Sequence, residues 1–308
     1  MGWQAHLRLH YRREAERTLG HAEHEGPLRV LKALYPEGPG ICHHVLLHPP
    51  SGLVSGDELN VDIDLAEGSH VVLTTPGATR FYRSSGAPAT QQVRARVAAD
   101  ARLEWLPQEN LIYNAAQAVN QQHFELAPGA MMIGWDVLAL GLPAADLPFA
   151  QGRVTQHLAL SGVGSPGPET AGAGSPPPTP TGLWLDRAVI DASDQRLLDS
   201  PLGWAGRRAL GTMWLAWGKA PAEVALLQAV DAAREAIAEL DGTAITPAPA
   251  TPVDAAISGL SAVHPQVVVL RVLAPRVEPI MRTLTAVRRA WRSALWGAPA
   301  LDLRLWRT

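Results

Sequence analysis

The stretch HHVLLHPPSGLVSGD at residues 43–57, followed by LTTPGATRFYR at residues 73–83, decides the fold of this chain. Each piece is an apolar strand that runs into a turn of small residues. The Pro-Pro pair at 49–50 ends the first strand, because proline has no N–H to donate to a β-ladder. The Ser-Gly pairs at 51–52 and 55–56 predict the positive φ angles that sharp bends need. No Gly-Lys-Ser/Thr sequence and no helical pattern follow, so we exclude a phosphate-binding loop.

Short β-strands recur on both sides of this stretch. Residues 3–11 alternate apolar and polar side chains, which is typical of a strand with one buried face. A second strand is predicted at residues 26–36. Later strands are predicted at 41–48, 58–65, 70–75, 91–98, 101–106, 110–113, 118–126, 131–140, 153–160, 183–185 and 212–217. The Gly, Pro, Asn and Asp residues between them favour a sandwich, a barrel or a stacked β-helix, and the spacing does not choose among these three.

The C-terminal part has helical periodicity. Apolar residues step by three or four from 221 to 240 and from 276 to 295, so we predict two helices, with a buried strand at 266–274 between them. The apolar stripe of the first helix consists of Val224, Leu227, Val230, Ala233, Ile237 and Leu240. In the second helix we expect the stripe through Val277, Leu284 and Trp291 to pack on the sheet.

Four arginines lie off the stripe of the second helix: Arg282, Arg288, Arg289 and Arg292. They indicate either a solvated helix surface or a docking surface for an acidic partner.

Composition bounds the class of protein. The 308 residues are 47% apolar, which is enough for a sizeable core, and the net charge of −3 does not suggest a nucleic-acid binder. The single cysteine cannot form an internal disulfide and fits a reducing compartment. With no apolar leader and no apolar run long enough to span a bilayer, we expect a cytoplasmic protein without membrane contact. We expect one domain over residues 1–308, with a Gly/Pro-rich insert at 161–182 and a helix-containing part at 221–308.

One cluster of soft metal ligands stands out. Cys42, His43 and His44 are consecutive, with His48 nearby, and on a strand Cys42 and His44 share a face while His43 points the other way. A closed zinc site needs four converging ligands, and this segment offers two or three. A transient contact with nickel or zinc and a buried cysteine with hydrogen-bonded histidines are the two interpretations.

Three acidic residues are candidates for chemistry: Asp57, Glu104 and Glu109. Glu104 alternates with Leu103 and Trp105 and therefore faces away from them. The two glutamates could form an acid/base pair, and all three acids could line a polar channel for a divalent cation. The alternatives are exposed rim charge and hydrogen bonding to backbone amides of the adjacent turns.

The chain resembles the urease accessory protein D family, UreD, also called UreH. The matching stretches are 26–30, 34–39 with Cys42-His43, the turn 48–57, LTTPGATRFYRS at 73–84, LEWLPQE at 103–109, and more weakly 199–201, 270–272 and 303–308. The resemblance runs in order along nearly the whole chain. It departs from the family pattern at Ser51 and Ser55, which stand for glycines, and at Leu142, which stands where an arginine is expected. The acid that the family pattern places after this arginine is either absent or shifted to Asp146.

The resemblance implies a mainly β fold, a helix-like double sheet of stacked short strands with α-helices near the C-terminus. It implies a non-enzymatic scaffold that binds the urease apoprotein and, with UreF, recruits the GTP-binding UreG to deliver nickel. It also implies that no cofactor is tightly bound and that nickel is in transit through an internal polar passage, for which we predict Asp57, Glu104, Glu109, Cys42, His43 and His44 as contacts.

Two other hypotheses stay open. The first is a metal-dependent hydrolase that uses the region of Cys42, His44 and Asp57, which would need a converging ligand set with an open coordination position. The second is a purely structural assembly factor that never contacts metal.

Overall fold

The computed structural model describes residues 2–163, 180–242, 256–299 and 301–307. Its strands are β1 (Gln4–Glu14), β2 (Arg17–Glu25), β3 (Arg29–Val30), β4 (Ile41–Leu47), β5 (Gly52–Leu53), β6 (Glu58–Leu65), β7 (His70–Thr74), β8 (Thr79–Phe81), β9 (Ala89–Val97), β10 (Arg102–Leu106), β11 (Asn110–Ile112), β12 (Ala116–Leu126), β13 (Met131–Leu140), β14 (Gly152–Val163), β15 (Pro180–Asp191), β16 (Ala209–Trp217), β17 (Ile257–His264) and β18 (Val267–Ala274). Its α-helices are α1 (Gln195–Leu198), α2 (Glu223–Gly242) and α3 (Val277–Trp296).

The strands form two sheets. In the described residues, a seven-stranded sheet has the order β15-β14-β12-β9-β6-β1-β2, and an eleven-stranded sheet has the order β17-β18-β16-β13-β10-β7-β4-β3 with β5, β8 and β11 as a short branch. The chain alternates between the sheets from β6 to β14, and the stacked strands pair in parallel. This is a β-solenoid, so the expected mainly β, stacked-strand fold with helices near the C-terminus is confirmed.

The solenoid repeats in space without repeating in sequence. On one side Glu58 pairs with Thr90, and on the other side His70 pairs with Arg102, which pairs with Met131. Strand alternation then sends one set of side chains between the sheets, including the buried Leu103 and Trp105. The opposite face of the eleven-stranded sheet is apolar too, and α2 and α3 cover it.

The turn that follows β4 behaves largely as the sequence predicts. β4 ends at Leu47, before the two prolines, and Gly56 has a φ of 79°. The other positive φ belongs to Ser51 (62°) and not to Gly52. Gly52 is needed for a different reason: a Cβ at this position would collide with the ring of Tyr82.

One strand prediction is wrong, and the exposed strands β2 and β17 were not predicted. Residues 26–36 form only the two-residue β3, and the strand that pairs with β1 is the preceding segment, β2. β2 was missed because most of its side chains are exposed and polar, so local periodicity does not mark it. β17, which forms a hairpin with β18, was missed for the same reason, since most of its side chains are exposed.

The two predicted helices lie within two residues of their predicted bounds, but the buried stripe of α2 is shorter than predicted. Val224 and Leu227 are 72% and 53% exposed, so the buried stripe of α2 begins only at Ala229 and Val230. None of the described helices is long and apolar enough to cross a bilayer.

The predicted insert at 161–182 lies between two paired strands, β14 and β15. Val163 of β14 lies opposite Pro180 of β15, and the residues between them are outside the described part of the chain.

Candidate functional site

A buried charge network joins α3 to the solenoid. Glu104 on β10 has no exposed side-chain surface and accepts hydrogen bonds from Arg288 Nε (2.7 Å) and Arg292 Nη1 (2.8 Å) of α3. His70 Nε2 lies 3.1 Å from Glu104 Oε1. Burial alone would raise the pKa of Glu104, but Arg288, His70 and Arg292 together lower it to about 2. Glu104 is therefore a buried carboxylate anion that is hydrogen-bonded by the guanidinium groups of Arg288 and Arg292.

The network continues to Glu37 and His43. Arg292 also donates to both carboxylate oxygens of Glu37, and His43 Nε2 lies 2.8 Å from Glu37 Oε1. Two of the four arginines on α3 are therefore buried inside the protein, which corrects the expectation of an arginine surface there; Arg282 and Arg289 are the exposed pair. His43 therefore contacts the carboxylate that pairs with Arg292 of α3.

Cys42 and His44 lie on the opposite face of β4. Cys42 is fully buried, and burial raises the pKa of its thiol to about 11. His44 Nδ1 shares a hydrogen bond of 2.7 Å with the hydroxyl of Tyr11, and burial lowers the pKa of His44 to about 4. Both groups are neutral at pH 7, which suits a packed interior.

Asp57 braces the turn after β4. Its Oδ1 accepts the backbone N–H of Trp3 at 2.7 Å, and its Oδ2 accepts the backbone N–H of Val54 at 2.8 Å. The side chain thus makes the amide contacts that acidic residues often make in turns.

Glu109 lies elsewhere, in a groove of about 520 Å³ between the solenoid rim and α3. Burial raises the pKa of Glu109, and the neighbouring carboxylate of Glu278 raises it further. The six predicted transit residues therefore do not share one cavity. In the described part of the chain, no group of three or more His, Cys, Asp or Glu could hold a metal ion.

A second polar cluster, which sequence reasoning missed, lies between the two sheets. Asp136 of β13 is 1% exposed, and its Oδ1 accepts N–H groups from Asn110 (3.1 Å), Asn120 (2.8 Å) and Gln122 (2.7 Å). Gln156 donates to Oδ2 at 2.5 Å. Burial raises the pKa of Asp136 against the lowering effect of these amides. We call these five residues the Asp136 cluster.

The Asp136 cluster has free acceptors. The side-chain oxygens of Gln122 and Gln156 are buried and have no partner among the described residues. A buried polar atom without a partner needs an explanation, and a bound water or ion is one such explanation. The sequence does contain a signal for this cluster. Asn120 and Gln122 lie on the same face of β12 as the buried Ala118 and Phe124, so two polar side chains stand among apolar ones on a buried face.

Two cavities lie beside the turn after β4. An outer pocket of about 400 Å³ lies at the solenoid rim, against the exposed Pro49 and Ser51. An inner cavity of about 50 Å³ lies deeper, against Trp105 and Asn110. Because Asn110 belongs to the Asp136 cluster, the inner cavity borders the polar interior.

Comparison with known proteins agrees with the resemblance. The profile of the UreD urease accessory protein family matches residues 4–307. The chain is 53% identical over 310 residues to the urease accessory protein UreD of Leptothrix cholodnii, and 47% identical over 322 residues to that of Methylibium petroleiphilum, with 100% of each chain covered in both cases. The chain belongs to the UreD family.

Two serines in this UreD-family chain replace glycines of the family pattern, and both have structural roles. Ser51 Oγ accepts a hydrogen bond from Arg80 at 3.4 Å, and Ser55 Oγ accepts the backbone N–H of Ser85 at 2.6 Å. Both contacts tie the turn after β4 to the next coil. Leu142, where the family pattern has arginine, forms a small bridge with Leu147.

The structure of this UreD-family chain does not bring together the metal site that the hydrolase hypothesis needs. It requires Cys42, His44 and Asp57 to converge on one metal, yet within the described ranges no three such ligands come together. His44 is engaged by Tyr11, and both carboxylate oxygens of Asp57 are taken by backbone amides.

Proposed function

We propose that this chain acts in the maturation of urease as a non-catalytic scaffold. It binds the urease apoprotein and the accessory proteins UreF and UreG, and it helps deliver nickel to the urease active site in the cytoplasm. The observation that carries the proposal is family membership over the full length, with curated relatives named urease accessory protein UreD.

The interior of the solenoid supports a role in nickel transit. A dication cannot cross a protein interior without ligands, because burying an unpaired charge is prohibitively costly. The ligands must also be few and weak, so that the ion can leave. The Asp136 cluster meets both conditions: it offers one buried carboxylate and the unpartnered oxygens of Gln122 and Gln156.

Only some of the six residues predicted to contact nickel lie near the solenoid interior. Cys42 and His44 face the solenoid interior, and Asp57 lies close enough to His48 for its charge to raise the pKa of that residue. Glu104 and His43 are held in the network with α3, outside that interior. Glu109 lines the groove beside α3. A transit role for these six residues remains a prediction, and we add the Asp136 cluster to it.

The proposal is tested by expressing urease and the remaining accessory proteins with and without this chain and measuring nickel per urease active site. We expect nickel to be largely absent without the chain. Unchanged nickel content would contradict the proposal.

The passage is tested separately with Asp136→Asn, which removes the buried carboxylate and keeps the volume. We expect this variant to fold and to co-purify with urease apoprotein but to deliver less nickel. Glu67→Asn is the control, since Glu67 is an exposed acid on a turn. Full delivery by Asp136→Asn would remove the Asp136 cluster from the passage and leave the scaffold role intact.

A further inference from the structure

The outer pocket and the inner cavity share part of their lining. Both are lined by Leu46, Leu47, His48, Thr75 and Thr79. We call this shared lining the neck; it lies between the outer pocket at the solenoid rim and the inner cavity beside Asn110. The two leucines contribute apolar surface only, so polar contact at the neck comes from the imidazole of His48 and from the threonines.

The local structure fixes His48 at this neck. β4 ends at Leu47, and the two prolines that follow cannot extend it. The carbonyl oxygen of His48 accepts the backbone N–H of Ser51 at 2.7 Å, which closes the turn. The ring therefore sits on a braced backbone at the boundary between the two cavities.

The ring of His48 is available to a ligand. It is half-buried, and no hydrogen bond joins it to any described residue, in contrast to the rings of His43, His44 and His70. Burial lowers the pKa of His48, although the charge of Asp57 opposes this. At neutral pH the imidazole is therefore uncharged and carries a free lone pair.

The size of the inner cavity imposes a chemical step on any ion that enters it. About 50 Å³ holds roughly three water molecules, fewer than the six of a hydrated octahedral dication. An entering cation must therefore exchange part of its water for protein ligands at the neck.

We propose that His48 is the ligand at this neck, where it takes a divalent transition-metal ion of the nickel or zinc class from the outer pocket and passes it toward the Asp136 cluster. The inference rests on the proposed function. An imidazole is a good ligand for Ni²⁺ and Zn²⁺ and a poor one for Mg²⁺ and Ca²⁺, so His48 also selects the ion. A single neutral ligand holds the ion weakly enough to release it.

The test replaces His48 by Asn, which keeps a polar side chain but lacks the imidazole, and uses His21→Asn as the matched control on the exposed β2. The complex of the chain with urease apoprotein and the accessory proteins is supplied with limiting Ni²⁺, and the initial rate of nickel incorporation is measured. We expect His48→Asn to lower this rate about tenfold or more, the usual range for losing a group that tunes a metal site. We expect His21→Asn to match the wild type and all three chains to bind urease apoprotein equally.

A second measurement separates ligation from structure. The intact chain, labelled at the histidine ring carbons, is titrated with substoichiometric Ni²⁺, a paramagnetic ion, and then with Mg²⁺. The His48 ring signal should broaden with Ni²⁺ and not with Mg²⁺, while the buried His44 signal stays sharp. If the rate falls in His48→Asn but Ni²⁺ leaves the His48 signal unchanged, the effect is structural and the inference is wrong.

The remaining outcomes are distinct. If His48→Asn delivers nickel at the wild-type rate while urease without the chain stays empty, the inference is wrong and the proposed function stands. If urease acquires nickel equally well without the chain, the proposed function is wrong, and so is the inferred role of His48 in delivery.

Discussion

Glu104 and Arg292, which are 188 positions apart in the chain, form a hydrogen bond of 2.8 Å with no exposed surface on either side chain. This contact connects the solenoid, through β10, to the last long helix, α3. A buried ion pair of this kind does not guarantee stability, but removing one partner leaves a charge without compensation in the interior. The pair therefore makes the position of α3 sensitive to single substitutions.

We first predict the effect of breaking that contact. Glu104→Gln should lower the free energy of unfolding by about 3–5 kcal/mol, because Arg288 and Arg292 would remain charged and lose their anion. Urea denaturation followed by tryptophan fluorescence measures the loss. Glu67→Gln, on an exposed turn, should change stability by less than about 0.5 kcal/mol. Equal stability of both variants would refute the buried network.

The second prediction concerns acid. The pKa of Glu104 is about 2 in the folded chain and 4.5 ordinarily, so its contribution to stability is fully present above pH 4.5 and is lost as the pH falls toward 2. Glu37, whose pKa is also lowered, acts in the same direction. Unfolding free energies measured from pH 6 to pH 3 should fall more steeply for the wild type than for Glu104→Gln. Parallel curves would show that the pKa of Glu104 is the same in the folded and the unfolded chain.

The third prediction concerns the apolar stripe of α3. Trp291 has no exposed surface, and its Nε1 donates to the carbonyl of Ala229 on α2 at 2.8 Å. Trp291→Ala should cost about 3–5 kcal/mol of unfolding free energy, since it creates a large cavity and orphans that carbonyl. Trp3→Ala is the matched control, because Trp3 is 61% exposed. A loss below about 1 kcal/mol for Trp291→Ala would indicate that α3 is not packed on the sheet.

The fourth prediction concerns the thiol. Cys42 is fully buried and its pKa is raised to about 11, so almost no thiolate is exposed at pH 8. A thiol reagent such as dithionitrobenzoate should react with the native chain far more slowly than with the chain in urea. Ser84→Cys, placed in the loop after β8, supplies a reference thiol for the assay. Rapid reaction of native Cys42 would reveal an accessible thiol and favour its use as a nickel ligand.

The fifth prediction concerns the insert. Since Val163 and Pro180 already lie opposite each other in the β14–β15 hairpin, residues 164–179 can be replaced by a two-residue Asn-Gly turn. Loop length affects stability only logarithmically, so the unfolding midpoint and urease activation should be nearly unchanged. Loss of binding to urease apoprotein in an otherwise folded variant would make the insert a binding element.

The sequence by itself determined the elements whose periodicity is strong. The alternation around Leu103 correctly predicted that Glu104 faces away from Leu103 and Trp105. The stripe through Leu284 and Trp291 correctly predicted that α3 packs on the sheet. Local chemistry also located the turn after β4, because the proline pair can only end a strand there. These features depend on neighbours within a few residues, so the sequence contains them directly.

Only the tertiary structure decided which groups meet. Glu104 and Arg288 come together through the packing of α3, and the Asp136 cluster gathers amides from β11, β12 and β14 through the parallel stacking of coils. The neck at His48 exists because the turns of successive coils stack at the rim. Strand register and helix docking are set by the sum of many long-range contacts, which no local pattern encodes. For that reason the sequence named residues of interest, and the fold determined which of them share a site.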